Sequence, residues 1–161
     1  MNSQRALAHR DVLRDYCKSK TWTSPHAVTL TLKTRTLVGE YWQSLTPLEA
    51  QQNLRHWLNV IRKKLVRLGF PKHAELQRLP IFEGDEARGI RPHYHLLLDK
   101  PACIQAPEFE ALIQSEWART RWGRQRVTVE ACYDAAGSID YITKLRTKEN
   151  YADSIDWTNF R

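Results

Sequence analysis

The chain of 161 residues has the usual size of one domain, and 42% apolar residues is enough to build a core. Its longest uninterrupted apolar stretches are only a few residues, and the segment from Met1 to Arg14 is polar and charged. This predicts no membrane-spanning helix, no signal peptide, no membrane partner and a cytoplasmic location. Three cysteines without a C-x-x-C pair (Cys17, Cys103 and Cys132) argue against a disulfide framework or a cysteine-built zinc site and for reduced, mostly buried thiols. Twenty-five basic residues against 18 acidic ones leave a formal charge of +7 and a pI near 9.5. That excess favours a polyanionic partner and says nothing about fold.

Along the chain, Ala27-Val28-Thr29-Leu30-Thr31-Leu32-Lys33-Thr34 alternates large apolar and threonine side chains, the period-two pattern of a half-buried strand. A helix start follows at Thr46-Pro47-Leu48-Glu49, with Thr46 as N-cap, Pro47 at the first helical position and Glu49 closing a capping box. Leu54, Leu58, Ile61, Leu65 and Leu68 then recur at three- and four-residue steps up to Gly69, marking a long amphipathic helix. Its other face carries Arg55, Arg62, Lys63, Lys64 and Arg67. Leu79 to Glu83 reads as a strand, Gly84 to Gly89 as a charged turn, and Pro92 to Leu98 as the returning strand of a hairpin.

Pro107 to Trp117 predicts another helix, with Phe109, Leu112, Ile113 and Trp117 on one face, and Arg126 to Tyr133 a fourth strand. Gly137-Ser138 opens a short helix through Lys148, with Ser138 as N-cap and Lys144, Arg146 and Lys148 near its C-terminal end. No repeat, low-complexity tract or linker divides the chain, so residues 1–161 read as a single domain. The mixture of strands and helices, with a hairpin, predicts an α+β layer fold whose largely antiparallel sheet is covered by helices.

His93 and His95 stand two apart on a strand, so both imidazoles leave the same face and can converge on one point. A catalytic metal site also wants a hard oxygen ligand. Glu83 ends the strand that pairs with the histidine strand and can reach the same point, whereas Asp85 and Glu86 fall in the turn. Glu86 stays open as the alternative third ligand. Tyr141 and Lys144, three apart on a predicted helix, share a face. A neutral phenol is a poor nucleophile, but a metal that polarises a phosphate and a nearby cation make its attack feasible.

In this order, Ala27-Val28-Thr29-Leu30-Thr31, then Pro92-His93-Tyr94-His95 followed by Leu96-Leu97-Leu98, then Tyr141-Ile142-Thr143-Lys144, the chain resembles the HUH endonucleases and their three ordered motifs. More narrowly, it resembles the single-tyrosine replication initiators of plasmids and small single-stranded DNA viruses and phages. The resemblance spans about residues 27 to 148, with aromatic Tyr94 at the middle position of H-U-H. It implies a central antiparallel sheet of about five strands flanked by helices, ferredoxin- or RRM-like, with the tyrosine helix across the histidine face.

The implied activity is site-specific nicking and joining of single-stranded DNA to initiate rolling-circle replication. Tyr141 attacks a phosphodiester, keeps the 5′-phosphate as a phosphotyrosine and releases a 3′-OH, while Lys144 assists at the phosphate. Mg²⁺ or Mn²⁺ held by His93, His95 and Glu83 is the implied cofactor. Single-stranded DNA at an origin or hairpin, and a host helicase, are the implied partners. The ten residues from Glu83 to His93 make a slightly long hairpin, and no helicase-like segment follows before Arg161. An HUH transposase or relaxase shares this chemistry, although the histidine triad of mobilisation relaxases is absent; a non-catalytic basic nucleic-acid-binding module needs no metal. For DNA contact, Arg121, Trp122, Arg124 and Arg126 combine cations for phosphates with an aromatic for stacking on bases.

Overall fold

In a computed structural model that describes residues 2–144 and 154–161, the expected alternation from Ala27 onward is strand β1 (Pro25–Leu32), the second central strand of a four-stranded antiparallel sheet. It pairs on one side with β5 (Ile90–Asp99) and on the other with β6 (Gly123–Ala131); β4 (Arg78–Asp85) pairs with β5, giving the order β4-β5-β1-β6. The helices are α1 (Asn2–Ser19), α2 (Pro47–Arg67), α3 (Ala106–Ala118) and α4 (Ala135–Ile142). Two short strands, β2 (Arg35–Val38) and β3 (Tyr41–Ser44), form a separate two-stranded ribbon. The sheet thus has four strands where about five are expected. The C-terminal residues lie along the outer edge of β4 through a single bridge from Ile155 to Ile81 and a reciprocal pair of backbone bonds between Arg161 and Arg78.

The pleat gives the sheet two unequal faces. Val28, Leu30 and Leu32 of β1 and Tyr94, Leu96 and Leu98 of β5 pack under α2 and α3, against Leu54, Trp57, Ile61, Phe109, Ile113 and Trp117. Trp57 and Trp117 meet edge to face, centroids 5.7 Å apart, and the Trp117 indole donates to the Thr31 carbonyl at 2.8 Å. On the other face a smaller cluster joins Leu79, Ile81 and Leu97 to Leu13 and Cys17 of α1, Ile139 and Ile142 of α4, and Ile155. Burial in this cluster pushes the Cys17 thiol up to about 11, as suits an inert structural cysteine. No helix among the described residues is long and apolar enough to cross a membrane.

Helix α2 starts as expected: the Thr46 hydroxyl accepts from the Glu49 amide at 3.2 Å, and the Glu49 carboxylate accepts from the Thr46 amide at 3.0 Å. The last helix corrects the expectation. It is capped by Asp134, whose carboxylate accepts from the Gly137 amide at 2.9 Å, so Ser138 lies inside it, and it ends at Ile142. An aspartate one step upstream of two alanines offers a better cap than a serine already flanked by helical residues. Arg146 and Lys148 lie outside the described residues. Replacing Thr46 with Ala should lower unfolding stability by about 1 kcal/mol in urea titration with an unchanged m-value, since one cap is lost and the core is untouched.

A candidate metal centre beside an exposed tyrosine

On β5 the residues at 94, 96 and 98 enter the larger core, which obliges 93 and 95 to face the other way. Cross-strand register sets Glu83 of β4 directly opposite His93. The pairing shifts just beyond, between Glu83 and Asp85, where a Cβ on Gly84 would stand 2.9 Å from the Pro92 Cα; only glycine permits that approach. The chain returns through a 3₁₀ turn (Glu86–Arg88) closed by Gly89 at φ 69°. Asp85 caps this turn by accepting from the Ala87 amide at 3.1 Å and pairs with Arg88 at 3.3 Å, so its carboxylate is engaged there.

The resulting cluster is close. His93 Nε2 and His95 Nε2 are 3.1 Å apart, and Glu83 Oε2 is 3.5 Å from the first and 3.9 Å from the second. One ligand atom from each residue lies within 4.8 Å of the others, and among the described residues this is the group of histidine, cysteine and acidic side chains placed to hold a metal. Glu86 is not part of it. The imidazoles are oriented from behind: His93 Nδ1–H donates to the Arg91 carbonyl at 2.8 Å, and His95 Nδ1 meets the Thr29 hydroxyl at 3.2 Å. A carbonyl can only accept, so the neutral His93 ring carries its proton on Nδ1 and presents a bare Nε2 to the cluster. Two imidazole nitrogens and a carboxylate oxygen are spaced here as neighbouring ligands around a metal ion with bonds of about 2 Å would be.

Tyr141 on α4 is 65% exposed and lines a cleft of about 620 Å³ together with His95, Thr29, Thr128 and Tyr133. Helix α4 stops at Ile142, so Lys144 lies past its C-cap Thr143 and not on a shared helix face; its Nζ nonetheless stands 5.1 Å from the Tyr141 ring centroid. The middle tyrosine, Tyr94, points into the opposite core, where its hydroxyl donates to Asp156 Oδ2 at 3.1 Å. Burial, with that carboxylate beside it, holds the Tyr94 phenol far above the usual range, and it has no access to the cleft.

Helix α4 is pinned by α1. The Arg14 guanidinium donates to the Thr143 hydroxyl at 2.7 Å and to the Asp140 carbonyl at 2.9 Å, and the Lys18 ammonium bonds the Asp140 carboxylate at 2.9 Å. These contacts bracket Tyr141, yet nothing in the spacing of Met1 to Arg14 signals them. Arg91 was also passed over, although it lies two before His93 on the same strand face. With His93, Arg124, Arg126 and Thr128 it lines a second cleft of about 580 Å³.

Arg121, Arg124 and Arg126 are exposed, but the expectation of base stacking by Trp122 is corrected. That side chain is 3% exposed and sits in the larger core, because its backbone turns into β6 beneath α2, where Asn53 accepts from its amide at 3.2 Å. Comparison with family models, curated proteins and solved structures returned no match.

Two outcomes follow from this geometry. Mn²⁺ should raise the melting temperature, since a ligand of the native state stabilises it, and His93→Ala with His95→Ala should abolish the rise. In titration calorimetry Glu83→Ala should weaken Mn²⁺ binding more than Glu86→Ala; the reverse order would reassign the acidic ligand. The second concerns Asp140, whose carboxyl is held below its ordinary range by the Lys18 hydrogen bond, opposed by desolvation and assisted by the charges of Lys18, Arg14 and Arg10. A depressed carboxyl stabilises above its unfolded pKa and loses that contribution as pH falls through the folded one. Amide exchange in α4 should therefore be slower in wild type than in Asp140→Asn at neutral pH, and the two should converge in acid.

Proposed function

We propose that this chain is an HUH-type endonuclease with a single catalytic tyrosine, which nicks and rejoins single-stranded DNA to initiate rolling-circle replication of a plasmid, virus or phage. The observation that carries the reading is the convergence of Glu83, His93 and His95 on the sheet face whose cleft Tyr141 also lines. An antiparallel sheet flanked by helices, with both histidines on an interior strand, supports the ferredoxin- or RRM-like arrangement of that class. The +7 charge suits a DNA partner, and a cytoplasmic location goes with it.

In this reading the Tyr141 hydroxyl oxygen attacks the scissile phosphorus as the bond from phosphorus to the 3′-oxygen breaks. The phenolic proton passes by way of solvent to the departing 3′-oxygen, and the 5′-phosphate remains on Tyr141 as a phosphodiester. The new 3′-OH is a primer, and its return attack rejoins the strand because the step conserves one phosphodiester. Lys144, already over the Tyr141 ring, balances charge on the phosphate. Arg14 and Lys18 hold the last turn of α4 so that Tyr141 faces the cleft. Glu83, His93 and His95 would hold Mg²⁺ or Mn²⁺, which when bound withdraws charge from the scissile phosphate.

Mixing the protein with a pool of single-stranded oligonucleotides and Mn²⁺ should yield a denaturation-resistant adduct joined through a 5′-phosphate. Tyr141→Phe should bind DNA and form none, because it removes one oxygen from an exposed ring. Lys144→Ala should slow the adduct without abolishing it. Tyr133 lines the same cleft from beyond the end of β6, and Tyr133→Phe should react normally. If only Tyr133→Phe loses the adduct, the nucleophile is Tyr133. If wild type forms none, the chain binds nucleic acid without cutting it.

A further inference from the structure

The β2–β3 ribbon belongs to neither core and shows apolar side chains to solvent, although an isolated two-stranded ribbon is marginal by itself. Cross-strand pairing of Leu37 with Trp42 and of Arg35 with Ser44 puts Arg35, Leu37 and Trp42 on one face. Trp42 is 66% and Leu37 55% exposed, and the Arg35 guanidinium lies 5.2 Å from the Trp42 ring centroid. The ribbon's root is fixed rather than loose: the Leu45 amide donates to the Thr34 carbonyl at 2.8 Å, and Gln43 bonds Glu49 at the start of α2.

Its position matters as much as its surface. The ribbon continues β1 past the end at which Lys33 bonds the Trp122 carbonyl through its amide and the Arg121 carbonyl through its ammonium. Along the strands, the open sheet face runs from Tyr141 and Glu130, past His95 and Thr29, to His93, and on to Arg91, Arg124 and Arg126. The ribbon lies beyond that basic end. Of the acidic residues near it, Glu40 stands in the ribbon's own turn and Glu49 bonds Gln43 at its root, while Asp85 and Glu86 line a pocket with Thr34 and Ser44 on the β4 side; Lys33, Arg121 and Arg124 lie on the β6 side. A planar guanidinium on an indole beside a row of arginines fits unpaired bases on a phosphate backbone.

We propose that β2–β3 is a base-stacking clamp, with Trp42 and Arg35 as its contacts, for the DNA segment 5′ to the cut. The polarity rests on the nuclease reading. In phosphoryl transfer the attacking and leaving oxygens lie roughly in line. With Tyr141 at one end of the face, the departing 3′-oxygen points away from α4 toward Arg91, Arg124 and Arg126, and the nucleotides attached to it continue to the ribbon.

The probe is a random-sequence single-stranded DNA of about 20 nucleotides, longer than a typical single-strand binding site. Without metal, it should quench the tryptophan emission of wild type but leave Trp42→Leu largely unquenched. Affinity should fall about tenfold or more in both Trp42→Leu and Arg35→Ala, with unchanged circular dichroism. Unaltered affinity and quenching in both variants overturns the clamp and leaves the ribbon to a protein partner. With Mn²⁺, sequencing both flanks of trapped adducts should show base preference concentrated 5′ of the cut in wild type and flattened in Trp42→Leu. Preference confined to the 3′ flank overturns the polarity. Absence of any wild-type adduct overturns the nuclease reading and the polarity with it, while the quenching still decides whether the ribbon holds bases.

Discussion

The pairing of Glu83 with His93 across β4 and β5 governs everything the site can do. Side chains on a strand alternate with a period of two, so a slip of one residue would turn Glu83 into the core of one layer while the histidines stayed on the face of the other. Register here is held from both sides: by the glycine that lets Pro92 come close, and by the apolar residues at 94, 96 and 98 that have nowhere to go but under α2 and α3. The same strand therefore supplies both the packing and the candidate ligands His93 and His95. A cluster built on such a strand keeps its shape because moving a ligand means unpacking its neighbours.

The asymmetry of the two sheet faces follows from how helices are spent. Helices α2 and α3 cover one face, leaving Phe82, Val127 and Val129 partly buried at its margins, whereas α1, α4 and the C-terminal residues cover the other only around Leu79, Ile81 and Leu97. What remains uncovered along β1, β5 and β6 is polar or charged: basic or hydroxyl-bearing at Thr29, Thr31, Arg91, Arg126 and Thr128, and acidic at Glu130 toward α4. Such residues are tolerated on a sheet only where water or a polar partner reaches them.

Elements with a strong local signal were legible in the sequence. The capping box at Thr46 and Glu49, the apolar stripe of α2 from Leu54 to Leu65 (though not Leu68, which caps the helix and is exposed), the hairpin around Gly84 to Gly89 and the placement of both histidines on one face all rest on neighbours within a few residues. Helix α1 was not legible because its buried stripe among the described side chains comes down to Leu13 and Cys17, too sparse to show a period. The β2–β3 ribbon was missed because its strands are only four residues long and bury no side chain fully, β2 alternating exposed with half-buried residues and β3 being exposed throughout. Trp122 was misplaced for a related reason: four arginines around it describe the backbone's surroundings in sequence, while its ring turns inward to the core and Asn53, sixty-nine residues away, takes up its amide.

The two halves of the site are stitched together over very different lengths of chain. Glu83 and His93 belong to one hairpin, whereas Arg14 and Thr143, which fix the tyrosine helix, are separated by 129 residues. Loop-closure entropy makes the second kind of contact the later to form and the earlier to be lost. A local opening that frees Arg14 from Thr143 and Asp140 would loosen the turn that carries Tyr141 while leaving the Glu83–His93 pairing of the hairpin in place, at a cost below that of global unfolding. Tyr141 can thus shift without disturbing the cluster of Glu83, His93 and His95, and its reach, rather than the geometry around the histidines, is the more easily varied property of the fold.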